Sequence, residues 1–60
     1  MRFLVVLSNN SNSALYVRKL KETTGYKYIL IVDQILQSDF LLEEFDNQSE
    51  SEIFAETHYL

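Results

Sequence analysis

This chain has 60 residues, a formal net charge of −4, no cysteine and one histidine. Disulfides and thiolate metal sites are therefore excluded, and His58 alone cannot build a zinc site. Because 47% of the residues are hydrophobic, the chain is too apolar to stay disordered. Its length predicts one compact domain over residues 1–60 with a small core.

The first residues resemble the start of a secretory signal, but their apolar run is too short. Residues 3–7 form this run, whereas a signal core needs roughly 7–15 apolar residues. No apolar stretch of the sequence reaches the ~20 residues that cross a bilayer. The sequence therefore predicts a cytoplasmic protein that is not embedded in a membrane.

Two segments in the first half have the composition of strands. Residues 3–7 form a continuous apolar run, and residues 26–32 place Tyr, Ile, Leu and Val on both faces. Residues 14–24 between them are ambiguous. Helix-forming residues and a glycine cap at Gly25 favour a helix, whereas Thr23-Thr24-Gly25 also suits the loop of a hairpin. Helix is the preferred interpretation of this segment.

The second half is predicted to be helical. A helix that starts at Asp33 or Ser38 runs to Asp46, and Ser49-Glu50-Ser51-Glu52 has the pattern of a capping box that opens a last helix. The predicted fold is therefore a small two-layer α+β domain with the element order β-α-β-α-α. The alternative is β-β-β-α-α, a three-stranded antiparallel sheet packed by C-terminal helices.

The charges are divided between the two halves of the sequence. Residues 1–30 hold five bases and one acid, a net of +4, and residues 31–60 hold eight acids and no base, a net of −8. Surface acids keep a small protein soluble, but a concentrated acidic surface also selects partners of opposite charge. On the second interpretation, the partner presents a basic surface to an acidic stripe of Asp39, Glu43 and Asp46.

The basic half offers an alternative binding surface. Cations interleaved with tyrosines have the composition of a nucleic-acid patch, and these cations are Arg18, Lys19, Lys21 and Lys27. Four cations beside eight acids are weak evidence of nucleic-acid binding, since affinity for phosphate comes from neutralising its charge. Nucleic acid is therefore not expected to be the main ligand.

The helix predicted to end at Asp46 has two apolar faces, whereas a surface helix usually has one. Leu36 and Phe40 lie apart from a larger apolar group, which consists of Ile35, Leu41, Leu42 and Phe45. Either the last helix covers Leu36 and Phe40 within the monomer, or they form an interface with another molecule. We expect self-association through this patch, with a symmetric dimer as the commonest form.

No arrangement of residues in the sequence indicates catalysis. A nucleophile needs a positioned base, and the one imidazole, His58, lies near the C-terminus. The neighbouring acids Glu43 and Glu44 diverge on a helix, and the acids do not follow the EF-hand spacing. The loop over residues 8–13 lacks the glycines of a phosphate cradle. We expect no enzyme activity, no cofactor and no bound metal.

The sequence therefore predicts a non-enzymatic, acidic protein–protein interaction module. Its size and charge suit a small inhibitor or adaptor, of the kind that phages and mobile elements carry, which engages a basic host protein that handles nucleic acid. The alternative is a structural or regulatory homo-oligomer that contacts nucleic acid through its basic N-terminal half.

Overall fold

A computed structural model of the chain describes residues 2–11, 14–21 and 25–59. The elements within them are β1 (Phe3–Ser8), β2 (Tyr16–Lys19), β3 (Tyr28–Val32), β4 (Phe40–Phe45) and α1 (Gln48–Tyr59). The strands form one antiparallel sheet in the order β2-β3-β1-β4. β1 and β3 therefore lie in the centre of the sheet, and β2 and β4 form its edges.

The two central strands carry the core. β1 and β3 pair with Val5 opposite Ile31, and their side chains are buried on both faces of the sheet. Short continuous apolar runs are typical of strands with neighbours on both sides. The strands predicted over residues 3–7 and 26–32 are confirmed, although the second one begins at Tyr28.

Helix α1 covers one face of the sheet, which we call the helix face. Its positions nearest the sheet are small, since Ser51 and Ala55 are both fully buried and lie one turn apart. The buried core on this face consists of Val5, Leu7, Ile29, Ile31 and Ala55. Burial of a valine, leucine or isoleucine side chain contributes about 1.5–3 kcal/mol. This core is therefore a main source of the folding free energy.

The opposite face, which we call the open face, has no helix over it in the residues that the structure describes. Its buried centre is a second apolar cluster of Leu4, Val6, Leu30 and Val32. Ala14 and Tyr28 pack against this cluster. Toward the two edges, Val17 and Leu41 are 39% and 40% exposed. An apolar row therefore crosses the open face and meets solvent at both edges.

Both predicted topologies are wrong. The chain is an α+β domain, but its described residues form four strands and one helix, which is neither β-α-β-α-α nor a three-stranded sheet with two helices. In the ambiguous segment 14–24, residues 16–19 form the edge strand β2, so the preferred helix is wrong. The helix predicted to end at Asp46 is also wrong, because residues 40–45 form the edge strand β4.

The two apolar groups predicted for that helix are regrouped on β4, because Leu42 and Phe45 pack against the helix-face core and Leu41 lies on the opposite side. Phe40 lies opposite Leu7 and Leu41 lies opposite Val6, so successive side chains point to opposite faces. The register shifts between Val5 and Val6, and a bulge of this kind interrupts the period of two. Leucine and glutamate favour helices in isolation, but pairing with the apolar β1 overrides this local preference.

Helix α1 begins earlier than its predicted capping box, because Asn47 and not Ser49 caps it. Asn47 Oδ1 accepts a hydrogen bond from Glu50 N at 3.2 Å, and Asn47 O accepts one from Ser51 N at 3.2 Å. Asparagine is among the most favourable N-cap residues. Ser49 instead lies inside the first turn of the helix.

Asn9 ties the connection before β3 to the end of β1. Asn9 Nδ2 donates to Gly25 O at 3.0 Å, and Lys27 N donates to Asn9 Oδ1 at 2.9 Å. Gly25 has a φ of 91°, which glycine adopts without the steric cost that other residues incur. Thr23 and Thr24 of the predicted hairpin loop lie outside the described residues.

Candidate interaction edges

The two edges of the sheet carry opposite charges. The β4 segment, residues 39–46, contains four acids and no base, whereas the β2 segment, residues 14–21, contains three bases and no acid. β1 and β3 lie between them and contain no charged residue. The charge division along the sequence is therefore also a division across the sheet.

The acidic edge, β4, combines apolar and charged side chains that face solvent. Phe40 and Leu41 are 53% and 40% exposed, and Glu43 and Glu44 are exposed as well. The Phe40 ring lies against Tyr26, with the ring centroids 6.5 Å apart. Exposed aromatic and aliphatic groups beside polar ones are typical of protein interfaces.

Both edges also direct backbone groups outward. In an antiparallel ladder, alternate residues turn their N–H and C=O toward one neighbour and then toward the other. The bond from Leu20 N to Lys27 O, at 2.9 Å, sets this alternation for β2 and β3. When this alternation is followed through the strand pairings, four residues of the edge strands direct their backbone N–H and C=O away from the sheet. They are Val17, Lys19, Leu41 and Glu44. Each edge therefore has the geometry to accept another strand.

Within the monomer, the carboxylates of Glu43 and Glu44 both have partners. Glu44 N donates to Glu43 Oε1 at 3.3 Å, a long bond that occupies an outward donor. The Glu44 carboxylate forms an ion pair with Arg2, with 2.7 Å between Oε1 and Nη1. Charged side chains commonly protect sheet edges against unwanted pairing. The Glu43 bond is long and exposed, so it holds the Glu44 N–H only weakly.

The three predicted partner-binding acids lie along one strand and not on a helix. Asp39 precedes β4, Glu43 lies within it and Asp46 follows it. Glu43 and Asp46 are exposed. Asp39 is half-buried, its Oδ2 accepts a hydrogen bond from Leu36 N at 3.2 Å, and its Oδ1 is buried without a partner. The acidic surface therefore centres on Glu43 and Asp46, whereas Asp39 shapes the preceding turn.

Leu36 and Phe40, predicted as one apolar patch, lie on opposite sides of the sheet. Both are exposed, by 52% and 53%. Phe40 lies opposite Leu7 on the helix face, whereas Leu36 lines a cavity on the open face together with Leu30. The two side chains therefore do not form one continuous surface.

That cavity on the open face has a volume of about 360 Å³ and a mixed lining. The residues around it are Asn10, Leu30, Val32, Asp33, Gln34, Leu36 and Asp39. Two of these residues are carboxylates and none is a base, so the cavity favours cationic groups over anions. Its volume lies at the lower end of the ~300–1,000 Å³ range of small-molecule sites.

Tyr16 organises the basic edge. Its hydroxyl donates to Glu56 Oε2 at 2.7 Å and accepts a hydrogen bond from Arg18 Nε at 3.1 Å. The Arg18 guanidinium carbon lies 5.6 Å from the centroid of the Tyr16 ring. Burial and the hydrogen bond to Glu56 raise the pKa of Tyr16, and the hydrogen bond to Tyr16 raises the pKa of Arg18. Arg18 is thereby held on the helix face of β2.

The four predicted basic residues lie on or beside the β2–β3 pair, but not on one face. Arg18 and Lys19 are neighbours on β2, so they point to opposite faces. Lys21 follows β2 and Lys27 precedes β3. The hydrogen bond between Leu20 N and Lys27 O brings these last two to the same end of the β2–β3 pair.

Two kinds of site are not found in residues 2–11, 14–21 and 25–59. No group of three or more His, Cys, Asp or Glu side chains is placed to hold a metal ion. No helix is long and apolar enough to cross a membrane.

The imidazole of His58 packs on Phe54, with ring centroids 4.5 Å apart, and its Nδ1 lies 3.0 Å from Phe54 O.

The sequence pattern does not single out Tyr16, Val17 or Glu44, which the sheet places at its edges. A period-two interpretation of residues 16–19 pairs Tyr16 with Arg18 on one face, and this signal is present in the sequence. The importance of Glu44 depends on the strand order, because only an edge strand has outward backbone groups. A single sequence does not specify that order.

No family model matches the chain, and neither a curated protein nor a solved structure matches it. The function proposed below therefore rests on the residues and geometry of this chain alone.

Proposed function

We propose that the chain is a non-enzymatic interaction module of the cytoplasm whose acidic β4 edge binds a basic, extended segment of a partner protein. The observation that carries the proposal is the coincidence, on one edge strand, of outward backbone groups, exposed acids and exposed apolar side chains. A peptide that adds to a sheet edge gains affinity from main-chain hydrogen bonds and specificity from its alternate side chains.

The side chains of β4 define the segment that it accepts. Glu43 lies opposite Val5 on the helix face, and Leu41 lies opposite Val6 on the open face. A lysine or arginine beside Glu43 forms an opposite-charge cross-strand pair, which contributes about 0.2–1 kcal/mol. An apolar side chain on the other face covers Leu41. The expected ligand is therefore a strand that alternates basic and apolar residues.

This specificity suits a small inhibitor or adaptor of a protein that handles nucleic acid. Such proteins bind phosphate through lysine and arginine, and a basic strand held on β4 is withdrawn from that phosphate. The acidic edge and the acidic helix behind it also attract a basic partner before contact, which raises the association rate.

An NMR titration of isotope-labelled protein with a synthetic lysine–valine alternating peptide tests this proposal. We expect amide shifts concentrated in residues 41–44 of β4. The affinity should fall as salt is added, because exposed charges are screened beyond ~8 Å at 0.15 M. A glutamate–valine peptide should not bind, and a lysine–valine peptide with a central proline should bind less well, because proline lacks a backbone donor.

A pair of matched variants distinguishes binding at the β4 edge from a general attraction of the peptide to acidic residues. Glu43→Lys replaces an attraction with a repulsion and should weaken binding roughly 2–30-fold. Asp33→Lys makes the same charge change after the central strand β3, at an exposed position, and should have a much smaller effect. Equal effects of the two variants, or shifts spread over all the acids, would refute the proposal.

A second candidate is the homo-oligomer that contacts nucleic acid through its basic half. The observation in its favour is that the basic residues lie on or beside the β2–β3 pair. Tight binding of DNA or RNA near physiological salt, abolished by Lys19→Glu together with Lys21→Glu, would favour this candidate over the protein partner. We expect only weak binding that disappears as salt is raised.

A further inference from the structure

We infer that the β2 edge of one copy pairs with the β4 edge of a second copy, so that the chain is itself a ligand of its acidic edge. This inference rests on the proposed function, because it assigns an occupant to the same edge strand. It differs from the symmetric dimer through Leu36 and Phe40, since those side chains lie on opposite faces of the sheet.

The strand directions permit this pairing between copies in the same orientation. The order is β2-β3-β1-β4 and every neighbouring pair is antiparallel, so β2 and β4 run in opposite directions. A second copy shifted along the sheet sets its β2 antiparallel to the first copy's β4. The two α1 helices are then about 19 Å apart, at ~4.8 Å per strand, which exceeds the ~10–12 Å diameter of a helix.

Charge favours this head-to-tail contact over either symmetric one. A β4–β4 contact would set four acids against four acids, and a β2–β2 contact would set bases against bases. Like charges directly opposite each other destabilise paired strands, whereas opposite charges stabilise them. Of the three combinations of these two edges, only β2 with β4 is complementary.

Outward backbone groups on the open face permit more than one register, and we take the one that pairs Val17 with Glu44 and Arg18 with Glu43. Val17 and Glu44 both direct their backbone groups outward and both lie on the open face, opposite Leu30 and Leu4 respectively. They are therefore matched to form a hydrogen-bonded pair between copies. In this register, Arg18 of one copy lies opposite Glu43 of the other, and both side chains are on the helix face.

Glu43 has a different role in the free and the paired states. In the free monomer its Oε1 holds the outward Glu44 N–H at 3.3 Å. In the pair, Glu44 N donates instead to Val17 O of the second copy, and the Glu43 carboxylate is released to the Arg18 guanidinium. The Glu44 carboxylate keeps its ion pair with Arg2. The carboxylate that protects the edge in the monomer thus selects the second copy.

The contact is heterologous, so a pair of copies keeps one free β2 edge and one free β4 edge, and further copies can add. Two short strands bury little surface, and small interfaces give weak, transient association. At high protein concentration, self-association therefore competes with the basic partner for β4.

Sedimentation velocity over about 10 μM to 1 mM protein, a range that covers weak association, tests the inference at low and high salt. The average mass should rise with concentration beyond that of a dimer, and added salt should reduce it. Glu43→Lys and Arg18→Glu should each weaken association roughly 2–30-fold, and the double variant should restore it. Circular dichroism checks that each variant is folded.

A backbone variant tests the register independently of charge. Val17→Pro removes an outward N–H, which an edge strand tolerates, and should reduce association, whereas the control Val17→Thr keeps the donor and should not. A wild-type protein that stays monomeric at low salt, or a dimer that the charge variants do not affect, would overturn the inference. If the lysine–valine peptide still binds β4 in that case, the proposed function stands and only the self-pairing fails.

Discussion

The central strands and the edge strands of this sheet differ in composition, burial and role. β1 and β3 contain no charged residue and are buried on both faces. β2 and β4 are short or irregular, largely exposed and oppositely charged. The core that determines the fold therefore lies in the centre, and the groups that can meet another molecule lie at the edges. In this small chain, the position of a strand in the sheet decides whether it holds the core or can meet another molecule.

The largest expected effect comes from a change at the centre. Ile31 is fully buried on the helix face, and Ile31→Ala should cost about 2–5 kcal/mol. A core of this size rarely supplies more than roughly 3–5 kcal/mol, so the variant should be largely unfolded by circular dichroism. The edge substitution Val17→Ala should leave the protein folded. If both variants melted alike, the division between centre and edge would be wrong.

An intermediate effect is expected at the helix cap, which connects the acidic edge to the helix face. Asn47→Ala removes the acceptor for Glu50 N and should cost about 1 kcal/mol of unfolding free energy. Ser49→Ala, inside the first turn, should change stability by much less. Urea denaturation of the two variants measures the difference. The opposite ranking would restore Ser49 as the cap.

The smallest effect concerns Tyr16, which links the basic edge to α1. Burial and the hydrogen bond to Glu56 raise the pKa of Tyr16, so the neutral hydroxyl stabilises the fold. This contribution is fully present below the unfolded pKa of about 10 and is lost as the pH rises through the higher folded value. Denaturation at neutral and alkaline pH should show a smaller alkaline loss in Tyr16→Phe than in wild type. An unchanged loss would contradict the role of this hydroxyl.

The sequence predicts the central strands and the existence of the last helix because their patterns are strong locally. An apolar run such as residues 3–7 has few alternatives to a buried strand. The acidic and basic segments are also recognisable in the sequence. The residues that face a partner follow from these segments only when their conformation is known.

The edge strands are where the sequence misleads. The leucines and glutamates of residues 40–45 favour a helix locally, and the bulge opposite Val5 and Val6 disrupts the alternation that would indicate a strand. Their conformation depends on pairing with β1, which lies more than thirty residues away in the chain. Residues 16–19 are short and charged, so their strand character also depends on the neighbouring β3. Propensity is decisive only where tertiary pairing does not compete with it.

Amide hydrogen exchange, resolved by residue, tests the central claim that β4 is an open edge that accepts a basic strand. In dilute, low-salt protein, Glu44 N–H has only the long bond to Glu43 and should exchange quickly, whereas the N–H of Ile31 in the core should exchange slowly. Saturating lysine–valine peptide should slow exchange at Glu44, because its N–H gains a backbone acceptor, and should slow Ile31 no more than the other core amides. Exchange at Glu44 that is slow without peptide, or that peptide does not alter, would contradict the account.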